Sequence, residues 1–337
     1  MDSLSLLDLA IVDRGRQPAD ALAASVALAQ LAERLGVRRI WYAEHHNMAS
    51  IASSAPAVVI AHVAAHTSSI RLGAGGVMLP NHSPLTIAEQ YGTLATLHPG
   101  RIELGLGRAP GSDQVTMRAM RRDHTSADTF PDDVREVIGY LAGHSRIAGV
   151  AAVPGAGTNV PVYILGSSLY GAQLAAHLGL PFAFASHFAP DALLDAMAIY
   201  RRDFQPSEHL DRPHALAAVN VICAATSEEA QQQLRIAARW RVRRFLGLPE
   251  GLHDGEVDRV MAGPQGQQVL RMMTYTAVGE PAEVHAYLDE FAAHAGAAEL
   301  VVALSSPTID ERLRSLELVA ASTGDDLTRL GDGGDPR

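Results

Sequence analysis

"IRLGAGGVMLPNHSPLTIAEQYGTLATLHPGRIELGLGR", residues 70–108, contains two β-rich apolar runs, 70–78 and 101–108, on either side of a segment, 84–97, whose apolar residues recur at helical spacing. A strand, a helix and a second strand in that order form a crossover, the unit from which parallel sheets are built. The same alternation runs outward along the chain in both directions. Further β-rich runs lie at 4–12, 39–44, 160–165, 181–186, 214–224 and 298–304, with helical stretches at 20–35, 132–141, 169–178, 190–204, 227–245, 281–295 and 310–321. Eight βα units predict a (β/α)8 TIM barrel. Strands that read as apolar on both faces agree with this, because barrel strands are covered by side chains inside and by helices outside. An open doubly wound sheet is the alternative that the pattern leaves standing.

Two segments interrupt the rhythm. Residues 143–159, "GHSRIAGVAAVPGAGTN", are rich in glycine and alanine and predict an irregular excursion before the fifth strand. Residues 247–274, "GLPEGLHDGEVDRVMAGPQGQQVLRMMT", follow the helix of the seventh strand, and loops of this length in a compact domain tend to be lids or disordered. No linker is evident, so 1–330 is read as one domain and 331–337, "GDGGDPR", as a frayed tail.

Composition narrows the function. The chain has 337 residues, is 47% hydrophobic and carries a formal net charge of −10 without any lysine- or arginine-rich run, so it lacks the basic footprint of a nucleic-acid binder. Its single cysteine, Cys223, excludes a disulfide framework and multi-cysteine metal sites and suits a reducing cytoplasm. No run reaches the roughly 18 apolar residues of a membrane span. The N-terminal stretch has no basic region before its apolar residues and reads as the first strand of a soluble protein.

In such a barrel the chemistry sits at the C-terminal ends of the strands. The residues there are Glu44, His45 and His46, then Gly75 and Gly76, Gly107 and Arg108, Gly166, Ser167 and Ser168, and Ser186 with His187. Adjacent histidines on a strand point to opposite faces, so one ion does not readily take both His45 and His46; with the H-E-x-x-H helical zinc signature and a companion set of Asp, Glu and Cys at ligand spacing also absent, no metal is expected. Structural hydrogen bonding near the rim is the plain alternative for both. "ILGSSLYG" (164–171) turns from strand to helix through Gly-Ser-Ser, which aims backbone N–H groups and two hydroxyls at whatever lies over the helix start and suits a phosphate, though a simple serine cap reads equally well. "LGLGRAPG" (104–111) offers glycines for close approach and, in Arg108, a planar cation, but is not the GxGxxG dinucleotide fingerprint. The Gly75–Gly76 pair ends a strand where a flat ligand can approach the backbone, or marks a bulge.

Taken together, "GVRRIWYAEHH" (36–46), the stretch 70–111, "VPVYILGSSLYGAQLAAHLGLPFAFASHFAP" (160–190) and "AVGEPAEV" (277–284) resemble the bacterial luciferase-like flavin monooxygenases, in a branch distinct from the light-emitting luciferases. The resemblance implies a (β/α)8 barrel that takes reduced FMN from a separate flavin reductase, adds O2 to form a flavin C4a-peroxide and oxygenates a small organic substrate. By position it assigns His45 as the catalytic histidine, with Glu44 and His46 as its surroundings. It further assigns Gly75 and Gly76 to a cis non-prolyl peptide against the isoalloxazine, Arg108 to a cofactor contact, and Gly166, Ser167 and Ser168 to the phosphate loop. Residues 247–274 correspond to the family's mobile lid, and a homodimer through the helices near 56–66 and 84–97 is implied. Gly107 stands where luciferase catalytic subunits carry a reactive cysteine, and "SHF" (186–188) replaces their aromatic wall, so aldehyde oxidation with light emission is not expected. Two alternatives remain: hydride transfer with the deazaflavin F420, which barrels of the same superfamily bind, and a flavin-binding barrel without turnover.

Overall fold

A computed structural model describes residues 4–109, 113–249 and 251–327. Six strands follow one another in parallel pairing: β1 (Leu4–Asp8), β2 (Arg39–Tyr42), β3 (Arg71–Met78), β4 (Ile102–Gly107), β5 (Val162–Gly166) and β6 (Phe182–Phe184). Next, β7 (Ala215–Cys223) connects β6 to β9 (Glu299–Leu304), and β9 returns to β1. That last pairing closes an eight-stranded ring and removes the open-sheet alternative. A ninth strand, β8 (Thr276–Gly279), lies outside the ring along the far half of β7, from Asn220 to Cys223.

The helices are α1 (Pro18–Arg34), α2 (Pro56–Ala64), α3 (Pro84–Leu97), α4 (Gln114–Ala119), α5 (Phe130–Ala142), α6 (Leu169–Leu178), α7 (Leu193–Asp203), α8 (Ser227–Phe245), α9 (Asp254–Ala262), α10 (Pro264–Arg271), α11 (Pro281–Ala295) and α12 (Ile309–Leu327). Proline opens α1, α2, α3, α10 and α11, where no helical N–H bond is lost. Their inner faces meet the outer faces of the strands in one continuous core that includes Leu6, Ile40, Leu72, Leu104, Ile164 and Val302. Among the described residues no helix is long and apolar enough to cross a membrane.

Three local expectations need correction. The first strand ends at Asp8 rather than at residue 12, because the Asp8 carboxylate accepts the Ala10 N–H and Ala10 turns to a positive φ of 49°. Residues 247–274 are not an irregular lid: α9 and α10 form a helical pair that packs on α8 through Val242, Val257 and Val269. β8 was absent from the predicted set because four residues, "TAVG", carry too little pattern to register. The excursion over 143–159 is as expected, without helix or strand and with a cis Val153–Pro154 bond. The predicted frayed tail at 331–337 lies outside the described residues.

The strands are also less uniformly apolar than they read. At the N-terminal end of the barrel, Arg39 on β2 is fully buried and donates to Glu103 of β4 (3.0 Å), Tyr163 of β5 (2.7 Å) and Glu299 of β9 (3.2 Å). Trp41 Nε1 adds a second bond to Glu103 (3.0 Å), and the Ser5 hydroxyl donates to Glu299. Burial works against the charge on Glu299, but His214, Arg39, Ser5 and Arg38 hold its carboxyl below the ordinary range. One cation thus joins four strands of the ring from within. The charges at this end serve stability, since the chemistry of such barrels lies at the other.

Candidate active site

At the C-terminal rim, β2 runs out at Tyr42 and the chain continues through Ala43 into Glu44, His45 and His46. Glu44 is fully buried and its carboxylate gathers four donors: His46 Nε2 (2.7 Å), His82 Nε2 (2.8 Å), the Met78 N–H (3.0 Å) and Asn81 Nδ2 (3.5 Å). Burial disfavours its charge, but the bonds and charge of His82, then His46 and the Met78 amide, outweigh this and lower its pKa. The carboxylate therefore ties the end of β2 to the end of β3. Glu44 and His46, two apart, share a face, as alternation requires, and His82 completes a group whose ligand atoms all lie within 4.8 Å of one another. The 2.7 and 2.8 Å contacts are those of charge-assisted hydrogen bonds, shorter than the roughly 3.3 Å between two ligands of a tetrahedral ion with bonds near 2.0–2.1 Å. Sequence reasoning weighed His45 with His46 and missed His82, 38 residues from Glu44; its only signal is a histidine just past a strand end in "MLPNHSP".

His45 is set apart from that group. Its backbone N–H donates to Ser53 O (3.2 Å), and its imidazole lies close enough to His187 to act on it electrostatically. His187 follows β6. Its Nδ1 is buried without a hydrogen-bond partner, and burial, Arg241 and His45 together push its pKa down to about 3. Its carbonyl is fixed by Asn220 Nδ2 at 2.8 Å and approached by Arg241 Nη1 at 3.5 Å. The rim thus places a neutral imidazole beside His45. Arg241 and Asn220 had no signal in the sequence, since each acts through a carbonyl far along the chain.

The peptide between Gly75 and Gly76 is cis, at the place where the register of β3 against β4 shifts. Both glycines are required by space: a Cβ on Gly75 would come within 2.8 Å of Trp41 Cβ, and one on Gly76 within 2.8 Å of Gly105 O. Arg108 leaves the end of β4 and lies exposed over the Tyr170 ring, 4.3 Å from its centroid, with one bond from Nε to Ala127 O (3.3 Å). Tyr170 belongs to the first turn of α6, so Arg108 reaches the helix that Gly166, Ser167 and Ser168 lead into. Gly166 packs against Gly171, and a Cβ on Gly171 would come within 3.3 Å of the Gly166 Cα, so strand and helix approach closely here. Ser168 is the N-cap residue but its side chain makes no cap bond. Both serines are exposed, and among the described residues no group hydrogen-bonds to their hydroxyls. A guanidinium, two hydroxyls and the free N–H groups of a helix start form a donor set suited to a phosphate.

Sequence comparison now bears on this geometry. The family described as luciferase-like monooxygenase matches residues 6–299. The chain belongs to the luciferase-like monooxygenase family. Within it, a luciferase-like monooxygenase of Escherichia coli K12 is 46% identical over 94% of this chain and 95% of its own length. An N-acetyl-S-alkylcysteine monooxygenase of Bacillus subtilis is 35% identical over 69% of this chain and 71% of its own. Among solved structures, apo-MsnO8 superposes with a TM-score of 0.84 at 35% identity, covering 96% of this chain and 98% of that one. The oxygenating constituent of 3,6-diketocamphane monooxygenase in complex with FMN (TM-score 0.70, 17% identity, 94% and 97% covered) and an F420-dependent secondary alcohol dehydrogenase (0.69, 16%, 95% and 98%) share the fold. As a luciferase-like monooxygenase the protein is a flavin-dependent oxidoreductase, and the donors at the start of α6 fit the phosphate that flavin nucleotides carry.

Proposed function

We propose that the protein is the oxygenating component of a two-component monooxygenase that receives reduced FMN from a separate reductase and inserts one oxygen atom into a small organic substrate. The observation that supports it most is the group at the α6 start, where Ser168 makes no side-chain cap bond and exposed Arg108 lies over Tyr170 with a long bond to Ala127 O. Reduced FMN supplies two electrons to O2, so that one oxygen atom enters the substrate and the other leaves as water. Arg108, Ser167 and Ser168 would hold its phosphate, and Gly75 with Gly76 would let the ring system lie flat against backbone. His45 manages the proton at the reacting edge. Glu44 orients the segment that carries it, and the α9–α10 pair shields the rim from water.

The outer faces of α2 and α3 leave Val58 68% and Leu97 65% exposed, and we assign them to the contact of a cytoplasmic homodimer. Size-exclusion chromatography with light scattering, repeated with Val58→Glu, tests that part.

Anaerobic titration with reduced FMN and, separately, reduced F420 tests the cofactor, and selective binding of F420 would overturn the assignment. His45→Ala is expected to keep reduced-FMN affinity within about twofold while product per reduced FMN consumed falls and hydrogen peroxide rises, some hundredfold of rate being a usual share for one proton-transfer group. Unchanged coupling would remove His45 from its role.

A further inference from the structure

A cavity of about 500 Å³ opens between the loop after β6 and the α9–α10 pair. Its apolar wall is formed by Phe188, Phe245, Leu246, Val269 and Met272. Phe188 and Phe245 are 44% and 45% exposed, and their rings stand 6.0 Å apart at 36°, an aromatic pair facing water. Gln265 and Gln268 add amide groups to its lining. The volume falls in the range of small-molecule sites, which combine apolar walls with a few polar groups.

Two neighbours join this cavity to the candidate active site. Phe188 follows His187, whose carbonyl is held by Asn220; that bond fixes the loop from which Phe188 enters the cavity wall. Phe245 follows Arg244, which donates to the Ser50 hydroxyl and reaches Met48 Sδ at 2.7 Å, tying the end of α8 to the segment after His45. Arg241 Nη1 also approaches both the His187 carbonyl and the Met272 carbonyl (3.5 Å each), so the cavity wall is tied to the rim through anchored neighbours.

We propose that this cavity is the substrate-specificity pocket and receives a hydrocarbon substituent, alkyl or aryl, of the organic substrate that reacts at the adjoining rim. The proposal rests on the monooxygenase reading above for the identity of the reaction, but the pocket has its own test. Asp191 and Arg271 also line the cavity, and the hydrocarbon substituent is assigned to the aromatic and aliphatic wall, where a charged group would lose its hydration without a partner.

The test is calorimetric titration of the full-length protein with 1-alkanols from butanol to octanol, which probe the pocket whatever the true substrate. Affinity is expected to rise about fourfold per methylene until the cavity is filled. Ala189→Trp, which fills the cavity from its loop side, is expected to weaken octanol binding at least tenfold and butanol much less. Met272→Ala enlarges the pocket and shifts the optimum to longer chains, so the two variants move the optimum in opposite directions and a general loss of folding cannot imitate both. A flat alkanol series, or one that neither variant changes, would overturn the proposal. Reduced FMN titrated into the same samples separates the two claims. An alkanol series that persists without FMN binding would support the pocket and sink the cofactor assignment, and FMN binding with a flat series would sink the pocket alone.

Discussion

The two ends of the barrel use arginine in opposite ways. At the N-terminal end Arg39 is 0% exposed and its guanidinium bonds to groups on three other strands, two of them carboxylates. At the C-terminal end Arg108 is exposed, stacked on Tyr170, with one long bond to a carbonyl. The first arginine is committed to the fold, and the second remains available to a ligand. The carboxylates divide similarly: Glu299 and Glu103 neutralise Arg39, whereas Glu44 organises two histidines beside the candidate reaction centre. A charged residue in a barrel strand is therefore read by the end it occupies and by how completely its neighbours engage it.

The contrast is broken most severely by Arg39→Met. Removing the cation leaves Glu103 and Glu299 buried without it, and urea unfolding is expected to show a loss of about 3–5 kcal/mol. A loss under 1 kcal/mol would mean that the buried cluster is not what joins the strands. Arg108→Ala should do the reverse. Reduced-FMN affinity is expected to fall about 10- to 100-fold, the range for a charged hydrogen bond, with stability changed by no more than about 0.5 kcal/mol.

A pH titration sharpens the contrast at the rim. His187 has its pKa lowered to about 3 from the ordinary 6.5, so between those values the unfolded chain binds a proton that the folded chain refuses. Its contribution is complete above pH 6.5 and is lost as pH falls below it, by roughly 1.4 kcal/mol at pH 5.5 and more below that. His187→Gln should flatten that part of the stability profile, as followed by urea unfolding at pH 7.5 and 5.5. The smallest effect is expected from Ser168→Ala. Its side chain caps nothing, so stability should change by less than the usual 1 kcal/mol of a lost cap, while reduced-FMN affinity drops about fivefold.

Much of the fold was legible because alternating strands and helices carry their own periods, and the rim was legible because strand ends could be located. His45, the Gly75–Gly76 pair, Arg108 and Ser167–Ser168 could be placed at strand ends in that way. What escaped depends on contacts between distant positions. The charges of Arg39, Glu103 and Glu299 sit in runs that read as apolar, and only closure of the ring brings them together. His82 meets Glu44 across two strand ends, and the depressed basicity of His187 comes from burial and from Arg241 on a helix 54 residues later. α9 and α10 went unrecognised for a different reason: their short apolar faces, around Val257 and Val269, are interrupted by glycines and proline that argued for a loop.

The central claim is that the rim donors Arg108, Ser167 and Ser168 hold the phosphate of a reduced flavin. Anaerobic titration of the wild type and Arg108→Ala with reduced FMN and with reduced riboflavin, which has the same ring system without the phosphate, measures it most directly. The expected result is wild-type binding at least tenfold tighter for reduced FMN than for reduced riboflavin, with that preference largely lost in Arg108→Ala. Equal affinity for the two flavins in the wild type, or a preference untouched by the substitution, would contradict the assignment.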